Sequence, residues 1–457
     1  LALATAGAFL KQTQLTFVEY LYQYDSKWKV SNRRLRALPE YSDRTLYTTW
    51  MISFDQIEKE DRQVAQLLML LAYFDNQNVS YKLLHAGTSK SSPAWLIELT
   101  NEPGDFADAM SVLSEYCLVE TRPGTHSYSI HVCVHDWLLN GIDSTLKERE
   151  QRYSIAFDCT ANSIDCNDWD ILSGVQYNRI AAHALRLGHM RFISLLSNND
   201  FTAGRTDRIH NVGELLRKQG HHDRAELMYL RALAGKKKAL GPDHTATLET
   251  VNNLGTLYGD QGRLAEAEQM YLRALAGNEK ALGPDHTSTL DTVNNLGILY
   301  RGQGRLAEAE QTYLRALAGK EKALGPDHTS TLHTVNNLGI LYGAQGRLAE
   351  AEQTYLRALA GYEKALGPDH TSTLETVNNL RVLYGAQGRL AEAEQMYLRA
   401  LRHPYTPEVA NDLKQLNVEV MRNENHDSSV DQSLQKRKNG KGKWWQWKGR
   451  KTGNSSS

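Results

Sequence analysis

Cysteine is scarce in this chain, with four in 457 residues: Cys117, Cys133, Cys159 and Cys166. They form no Cys-x-x-Cys pair and no zinc spacing. So sparse a usage argues against a disulfide framework and points to a reducing compartment. Long apolar runs are missing as well. The longest, Leu1–Leu10 and Leu67–Phe74, fall well short of the ~20 residues that cross a bilayer, and Leu1–Leu10 lacks the positive leader and cleavage site of a signal peptide. A soluble, cytoplasmic protein is expected. No G-x-x-x-x-G-K-[ST] run occurs, so the loop that cradles nucleotide phosphates is absent. No nucleophile, base and oxyanion donors stand out together. The expectation is a non-enzyme with no catalytic residue and no metal. Net charge is only −1. Residues 432–457 carry eight Lys/Arg and no Asp/Glu, which leaves a mildly acidic body with no general affinity for nucleic acid.

What is present is repetition. Gly-Pro-Asp-His occurs at 241–244, 283–286, 325–328 and 367–370, a period of 42 residues. Aligned on it, five copies of one helix pair start near Thr206, Leu248, Leu290, Leu332 and Leu374. The first copy is divergent and the last loses its tail, as capping repeats do. Within the second copy the pattern predicts helices over Leu248–Tyr258 and Leu264–Leu282. They are separated by Asp260-Gln261-Gly262 and closed by Gly283-Pro284. At about 100° per residue, Val251, Leu254, Gly255 and Tyr258 share one face, and Ala267, Tyr271, Ala274 and Leu275 share the facing one. Gly255 and Ala267 lack bulk where the backbones approach, and Tyr271 fills the space beside them. One pair cannot bury these faces alone, so copies must stack.

The order L-G-x-x-Y…A-x-x-x-Y-x-x-A resembles the tetratricopeptide repeat. The 42-residue unit N-N-L-G-x-L-Y-x-x-Q-G-R-L-x-E-A-E-x-x-Y-L-R-A-L…E-K-A-L-G-P-D-H looks like the kinesin light chain type, over 206–402. Arg381 departs from the pattern, standing where Gly255, Gly297 and Gly339 stand, and is expected to loosen the last pair. The second to fourth copies differ in six columns of 42. Four lie on the first helix: Glu249/Asp291/His333, Thr256/Ile298/Ile340, Gly259/Arg301/Gly343 and Asp260/Gly302/Ala344. Their angles cluster opposite the packing face. In the resembled family the first helices line the concave groove, which makes this stripe, with Glu375 and Val382 of the fifth copy, the expected ligand-facing surface. Asn252, Asn294, Asn336 and Asn378 sit in it unchanged. An amide offers both donor and acceptor to a peptide backbone, so a peptide-holding ladder is expected. The competing reading is that surface positions drift freely and the amides satisfy neighbouring helices. Only Met270/Thr312/Thr354 and Asn278/Lys320/Tyr362 vary on what reads as the exposed face of the second helix, an asymmetry that favours binding. The Asp-His of each tetrad could suggest metal ligands. Copies are offset by at least a helix spacing of about 8–10 Å, however, so His244, His286, His328 and His370 cannot share an ion. A loop is expected there, with Thr287, Ser288 or Thr289 capping the next helix.

The N-terminal third reads differently. Residues 44–74 have helical rhythm with a break in Asp55–Asp61. Helix signals follow at Val79–His85, Ala94–Leu99 and Asp105–Cys117, then Leu118-Val119-Glu120, a turn at Arg122–Thr125 and an alternating strand over 127–132. Helices followed by a hairpin suggest a winged helix. The would-be recognition helix, Asp105–Glu120, carries acids and no Lys or Arg, so no DNA contact is expected there. The segment resembles the regulatory end of fungal NB-ARC, NLR-like switches. LALATAGAFLKQ at 1–12 looks like the end of their G-L-P-L-A-L helix, and R-T-L-Y-T-T-W (44–50), L-A-Y-F-D-N-Q (71–77) and V-H-D-W (134–137) look like winged-helix landmarks. The resemblance implies that His135, followed by Asp136, senses the β-phosphate of ADP in the resting state. The plainer alternative makes His135 a helix cap and His131 a strand residue. It also implies a truncated chain whose nucleotide-binding domain lies upstream of Leu1, so that ADP or ATP binds only with that domain.

The resulting expectation is a mainly α chain, a winged-helix-like domain followed by an α-solenoid of helix hairpins. Its parts are 1–24 (end of the NB-ARC helical subdomain), 25–142 (winged-helix-like), 143–205 (helical linker, with Arg179–Leu187 and Met190–Leu196 helical), 206–402 (five repeats) and 403–457 (a partly disordered basic tail). Lys436–Lys448 mixes cations with Trp444, Trp445 and Trp447, which suits a membrane interface or nucleic acid; a solvated tail is the plainer reading. Expected partners are a protein or peptide ligand, the upstream NB-ARC domain and, on activation, further copies of the chain. The alternative is a kinesin-light-chain-like cargo adaptor, which would need coiled-coil heptads ahead of the repeats.

Overall fold

The computed structural model describes residues 2–31, 44–89, 92–142, 144–164, 174–189 and 203–401. The expected basic tail, 403–457, lies outside them, as does the helix expected at Met190–Leu196. The chain is mainly helical and divides into two compact units, Leu1–Arg263 and Leu264–Ser457.

In the first unit, α1 (Ala2–Thr13) and α2 (Phe17–Ser31) pack on α3 (Arg44–Glu60). The break expected within 44–74 falls at Asp61. Its carboxylate accepts the N–H groups of Gln63 and Val64 at 2.8 and 3.2 Å and so caps α4 (Arg62–Leu71). Helix α4 buries Val64, Leu67, Leu68, Leu70 and Leu71. Helix α5 (Tyr81–Ala86) starts later than its apolar pattern implies. Ser80 caps it, and Val79 instead bridges Tyr128. Helices α6 (Ala94–Leu99) and α7 (Pro103–Glu115) follow, and then the antiparallel hairpin β1 (Glu120–Arg122) and β2 (Ser127–Ser129), with Glu120 opposite Ser129. The expected strand over 127–132 stops at Ser129 because His131 caps α8 (Val132–Asn140), its Nδ1 accepting the Cys133 N–H at 3.3 Å. Helix α9 (Leu146–Asn162) begins with a capping box between Thr145 and Glu148. Helix α10 (Gly174–Leu187) lies against α9, and Tyr153 Oη donates to the Leu187 carbonyl at 2.9 Å. The unit ends with α11 (Ala203–Lys218), α12 (His222–Leu240) and α13 (Thr245–Asp260).

The second unit stacks α14 (Leu264–Leu282), α15 (Thr287–Gly302), α16 (Leu306–Leu324), α17 (Thr329–Ala344), α18 (Leu348–Leu366), α19 (Thr371–Gln387) and α20 (Leu390–Leu401), each packed on the next. The small residue expected between paired helices has a measurable reason. A Cβ on Gly297 would stand 2.6 Å from Tyr313 Cε1, and one on Gly339 would stand 2.6 Å from Tyr355 Cε1. The tyrosine occupies the space the glycine leaves. At the helix ends Gly325 adopts φ 93°, open to glycine and strained for other residues.

One expectation is corrected at the tetrads. The residue that caps each following helix is the histidine, not Thr287, Ser288 or Thr289. His286 Nδ1 accepts the Ser288 N–H at 3.2 Å, and His328 and His370 repeat the bond on Ser330 and Ser372 at the same distance. Thr289 instead turns back and donates to the Gly283 carbonyl at 2.8 Å. Imidazole reaches an N–H two residues on, as an Asp cap does, which leaves the threonine free to tie the loop.

Copies are also clamped at their turns. The Arg305 guanidinium lies 4.0 Å over the Tyr300 ring, pairs with Glu308 of its own copy at 2.5 Å and reaches Glu268 of the preceding copy at 2.9 Å. Arg347 and Arg389 repeat the arrangement on Tyr342 with Glu350 and Glu310, and on Tyr384 with Glu392 and Glu352. Arg381 does not leave the fifth pair open. Its side chain is buried, Nε donates to Asn378 Oδ1 at 2.9 Å, and Tyr397 remains buried opposite.

Candidate peptide-binding groove

In the second unit, consecutive first helices approach one another directly, α15 to α17 and α17 to α19. The face they share is lined by the columns in which the copies differ. Asp291, His333 and Glu375 are exposed; Ile298 and Ile340 are half-buried and Val382 is exposed; Arg301 is half-buried. In the first unit α13 presents Glu249 exposed and Thr256 half-buried in the same columns. Within the second unit the variable residues of the first helices thus fall on one open stripe of polar ends and aliphatic middles. The last two columns are less uniform, since Gly343 is buried where Arg301 is half-buried, and Ala344 is half-buried where Gly302 is exposed.

The amides behave otherwise. Asn294 is 2 % and Asn336 8 % exposed, and the carbonyl oxygen of each is taken by the next copy. Asn337 Nδ2 donates to Asn294 Oδ1 at 3.2 Å, and Asn379 Nδ2 donates to Asn336 Oδ1 at 3.2 Å. In the first unit His210, which occupies the same column, meets Asn253 Nδ2 at 3.1 Å through Nε2. Asn252 and Asn378 are half-buried, with Asn252 donating to Asn253 and Asn378 accepting from Arg381. At Asn294 and Asn336 the expected peptide-holding ladder is therefore corrected. The physical reason is that a buried amide must be paired, and the neighbouring copy supplies its partner before any ligand can.

The second-helix column 278/320/362 is corrected as well. It was read as exposed, yet Asn278, Lys320 and Tyr362 are buried. Lys320, 1 % exposed, pairs through Nζ with Asp291 at 2.6 Å and donates to the Ser330 carbonyl at 3.3 Å. His333 is open to water but ringed by protein. Burial first, and then the Lys320 charge, lower its pKa, against the pull of Asp291. In the third copy this column therefore meets the groove stripe in direct contact. The asymmetry that seemed to favour binding is in part a matter of matching neighbours. The signal available beforehand was the joint change of Asp291 with Lys320 between copies.

His135 is 1 % exposed and donates Nε2–H to the Phe74 carbonyl at 2.9 Å. Burial, reinforced by the charge of Arg186, pushes its pKa down to about 3. His183 beside it accepts the Asp75 N–H through Nδ1 at 3.0 Å, with burial lowering its pKa to about 4. Both rings are neutral near pH 7. They hold the chain that leaves α4, together with Arg186, which donates to the Ala72 carbonyl. The plainer alternative for this segment is thus reversed, because His131 is the cap and His135 is core. Asp136 follows it half-buried on α8.

Four overlapping matches to the tetratricopeptide repeat family cover residues 205–280, 249–322, 288–364 and 329–403, so the described residues 205–401 are tetratricopeptide repeats. Such repeats mediate protein–protein interactions. A nucleotide-binding leucine-rich repeat (NLR)-like protein of Hyaloscypha variabilis is 29 % identical over 263 residues, which are 54 % of this chain and 24 % of that protein. The chain spans about a quarter of that relative's length. Among solved structures, BtubC (BKLC) from P. vanneervenii matches 60 % of this chain and 93 % of its own at 22 % identity and TM-score 0.39. A Podosopora anserina kinesin light chain protein of nearly identical TPR-like repeats matches 43 % of this chain and 94 % of its own at 25 % identity and TM-score 0.37. No described helix is long and apolar enough to cross a membrane.

Proposed function

We propose that this chain is the protein- or peptide-binding sensor of an NLR-like signalling ATPase whose nucleotide-binding core lies upstream of Leu1. The observation that carries the reading is the first-helix stripe. Copies that are otherwise nearly identical differ at Asp291, His333, Ile298, Ile340 and Arg301, and these residues keep open or partly open surface. A ligand along it would meet a different set of side chains at each copy. Support for the upstream ATPase comes from the NLR-like relative and from the order of helices and hairpin in the first unit, which suits a winged helix. In this reading the first unit is the part that contacts the upstream domain, His135 and Asp136 lie nearest the nucleotide, and the array holds the switch closed until the groove is filled. ADP or ATP is a cofactor of the whole protein only. Copies of the activated protein associate, and the setting is cytoplasmic. A role for the Lys/Trp tail at a membrane or on nucleic acid belongs to the same proposal.

The coding sequence upstream of Leu1 tests it. A phosphate loop about 200 residues earlier, a distance set by typical domain size, is the expected result. Coiled-coil heptads there would replace it with a cargo adaptor of the kinesin light chain kind.

A further inference from the structure

A cavity of about 580 Å³ opens in the first unit where α4, α6 and α7 pack on one another, a volume in the range that holds a ligand or a large side chain. Its floor is apolar. Val64, Leu99 and Ala109 are buried there, Val112 is half-buried, and Ile97 stands exposed at the edge. Its rim carries the carboxylates of Asp61, Glu98, Asp105 and Asp108, and no Lys or Arg lines it. Local structure explains how the acids come together. Asp61 caps α4, and Asp105 lies in the first turn of α7, where the helix dipole favours a negative charge. Asp108 follows three residues on, so the two like charges share one face of α7. Glu98, near the end of α6, accepts from Gln63 Nε2 at 2.6 Å. Among the described residues no cation pairs with Glu98, Asp105 or Asp108. The rim is therefore a concentration of negative charge over an apolar floor, with nothing of opposite sign set against it.

The complement is written in the same chain. Residues 432–457 hold eight Lys/Arg and no Asp/Glu, and Lys443-Trp444-Trp445-Gln446-Trp447-Lys448 sets indoles between cations. We propose that the Lys/Trp segment 436–451, which lies outside the described residues, seats in this cavity, with an indole on the apolar floor and the flanking cations on the rim carboxylates. An indole offers a large apolar body, and a cation at a partly water-excluded rim pairs more strongly than one in open water. A phosphate-bearing surface meets the cations of the tail equally well, but the rim carboxylates repel it, so the cavity itself selects a basic polypeptide. The inference goes beyond the sensor reading, which stands or falls separately. It gives the tail a seat on the protein itself, in competition with a membrane or nucleic acid.

Zero-length carbodiimide coupling of the full chain, mapped by mass spectrometry, tests the seat, because it joins a lysine to a carboxylate only where the two are in contact. Links from the lysines of 436–451, within one chain or between two, should concentrate on Glu98, Asp105 and Asp108 and fade as salt is raised. The variant Asp105→Asn with Asp108→Asn alters two exposed side chains and should keep the thermal unfolding of the native chain. Its links to the untouched Glu98 should fall about fivefold, the effect of losing two partly exposed ion pairs. Replacing Trp444, Trp445 and Trp447 by Ala leaves every charge in place, and the preference for the cavity should then disappear. Links spread evenly over the exposed acids of the native chain, or links to Glu98 that neither variant weakens, overturn the seat. So does a native chain without such links whose tail is instead protected from trypsin by vesicles of anionic phospholipid, which hands the segment to a membrane.

Discussion

The first and third copies of the repeat share a backbone and an arginine, yet one closes its polar groups internally and the other does not. In the first copy Glu214 serves Arg217 and Tyr229 together. In the third, Ile298 stands at the same position, and the Arg301 Nε and the Tyr313 phenol are buried without the carboxylate that serves the first copy. Copies of the same fold can therefore differ in how their buried polar groups are paired, here through two carboxylates, Glu214 and Asp260, that the third copy lacks. The same contrast holds at the amides. His210 takes the place of an asparagine toward Asn253 in the first copy, whereas Arg381 folds back on Asn378 in the last. End copies carry substitutions that finish the ladder, and middle copies pass it on.

The largest way to break this contrast is Glu214→Ile, which gives the first copy the third copy's residue. It strands Arg217 and the Tyr229 phenol in a half-buried site, and loss of one partner of a buried pair costs about 3–5 kcal/mol. Urea unfolding of the full chain should show an early transition for the first unit. A transition unchanged from the native chain would mean that Asp260 alone suffices. The native protein should show the same dependence through pH. Burial raises the Glu214 pKa, but the hydrogen bonds and charge of Arg217, with the bond from Tyr229, outweigh it, so the folded value lies below the unfolded one. The stabilisation is then fully present above the unfolded value of about 4.3 and is lost as pH falls through the lower folded value. Glu214→Ile should flatten that part of the pH–stability curve.

A smaller effect is expected from Asn294→Ala with Asn336→Ala. Each change removes the acceptor of an inter-copy bond and leaves a largely buried amide donor on Asn337 or Asn379, at about 1–3 kcal/mol for each site. Thermal unfolding should shift while the circular dichroism of the folded state is kept. A shift in ligand affinity alone would restore the amides to the groove. The smallest effect is expected from His286→Ala, which deletes one cap of four and costs about 1 kcal/mol. His286→Asp should return most of it, since a carboxylate can accept the same Ser288 N–H.

Much of the repeat architecture was readable in advance. The faces holding Val251, Leu254 and Tyr258, and Ala267, Tyr271 and Ala274, are buried as their angles require, and Gly297 stands against Tyr313 as a small residue must. The order of helices and hairpin in the N-terminal third was readable but their bounds were not, because Ser80 and His131 cap helices that begin at other residues than the apolar rhythm implies. Which asparagine of each pair meets the preceding copy and which the following one was not readable. Asn294 and Asn295 are adjacent and both are polar, and only the position of the next helix separates their surroundings.

The amino-acid sequence by itself determined that this chain makes stacked helix pairs, because the apolar period and the Gly-Pro stops act within a few residues of one another. Tertiary structure alone decided which polar groups are already paired, as Asn294 and Lys320 are. Those pairings reach another helix, of the next copy for Asn294 and of its own copy for Lys320, so a side chain's partner is set by the helix packed beside it rather than by its neighbours along the chain.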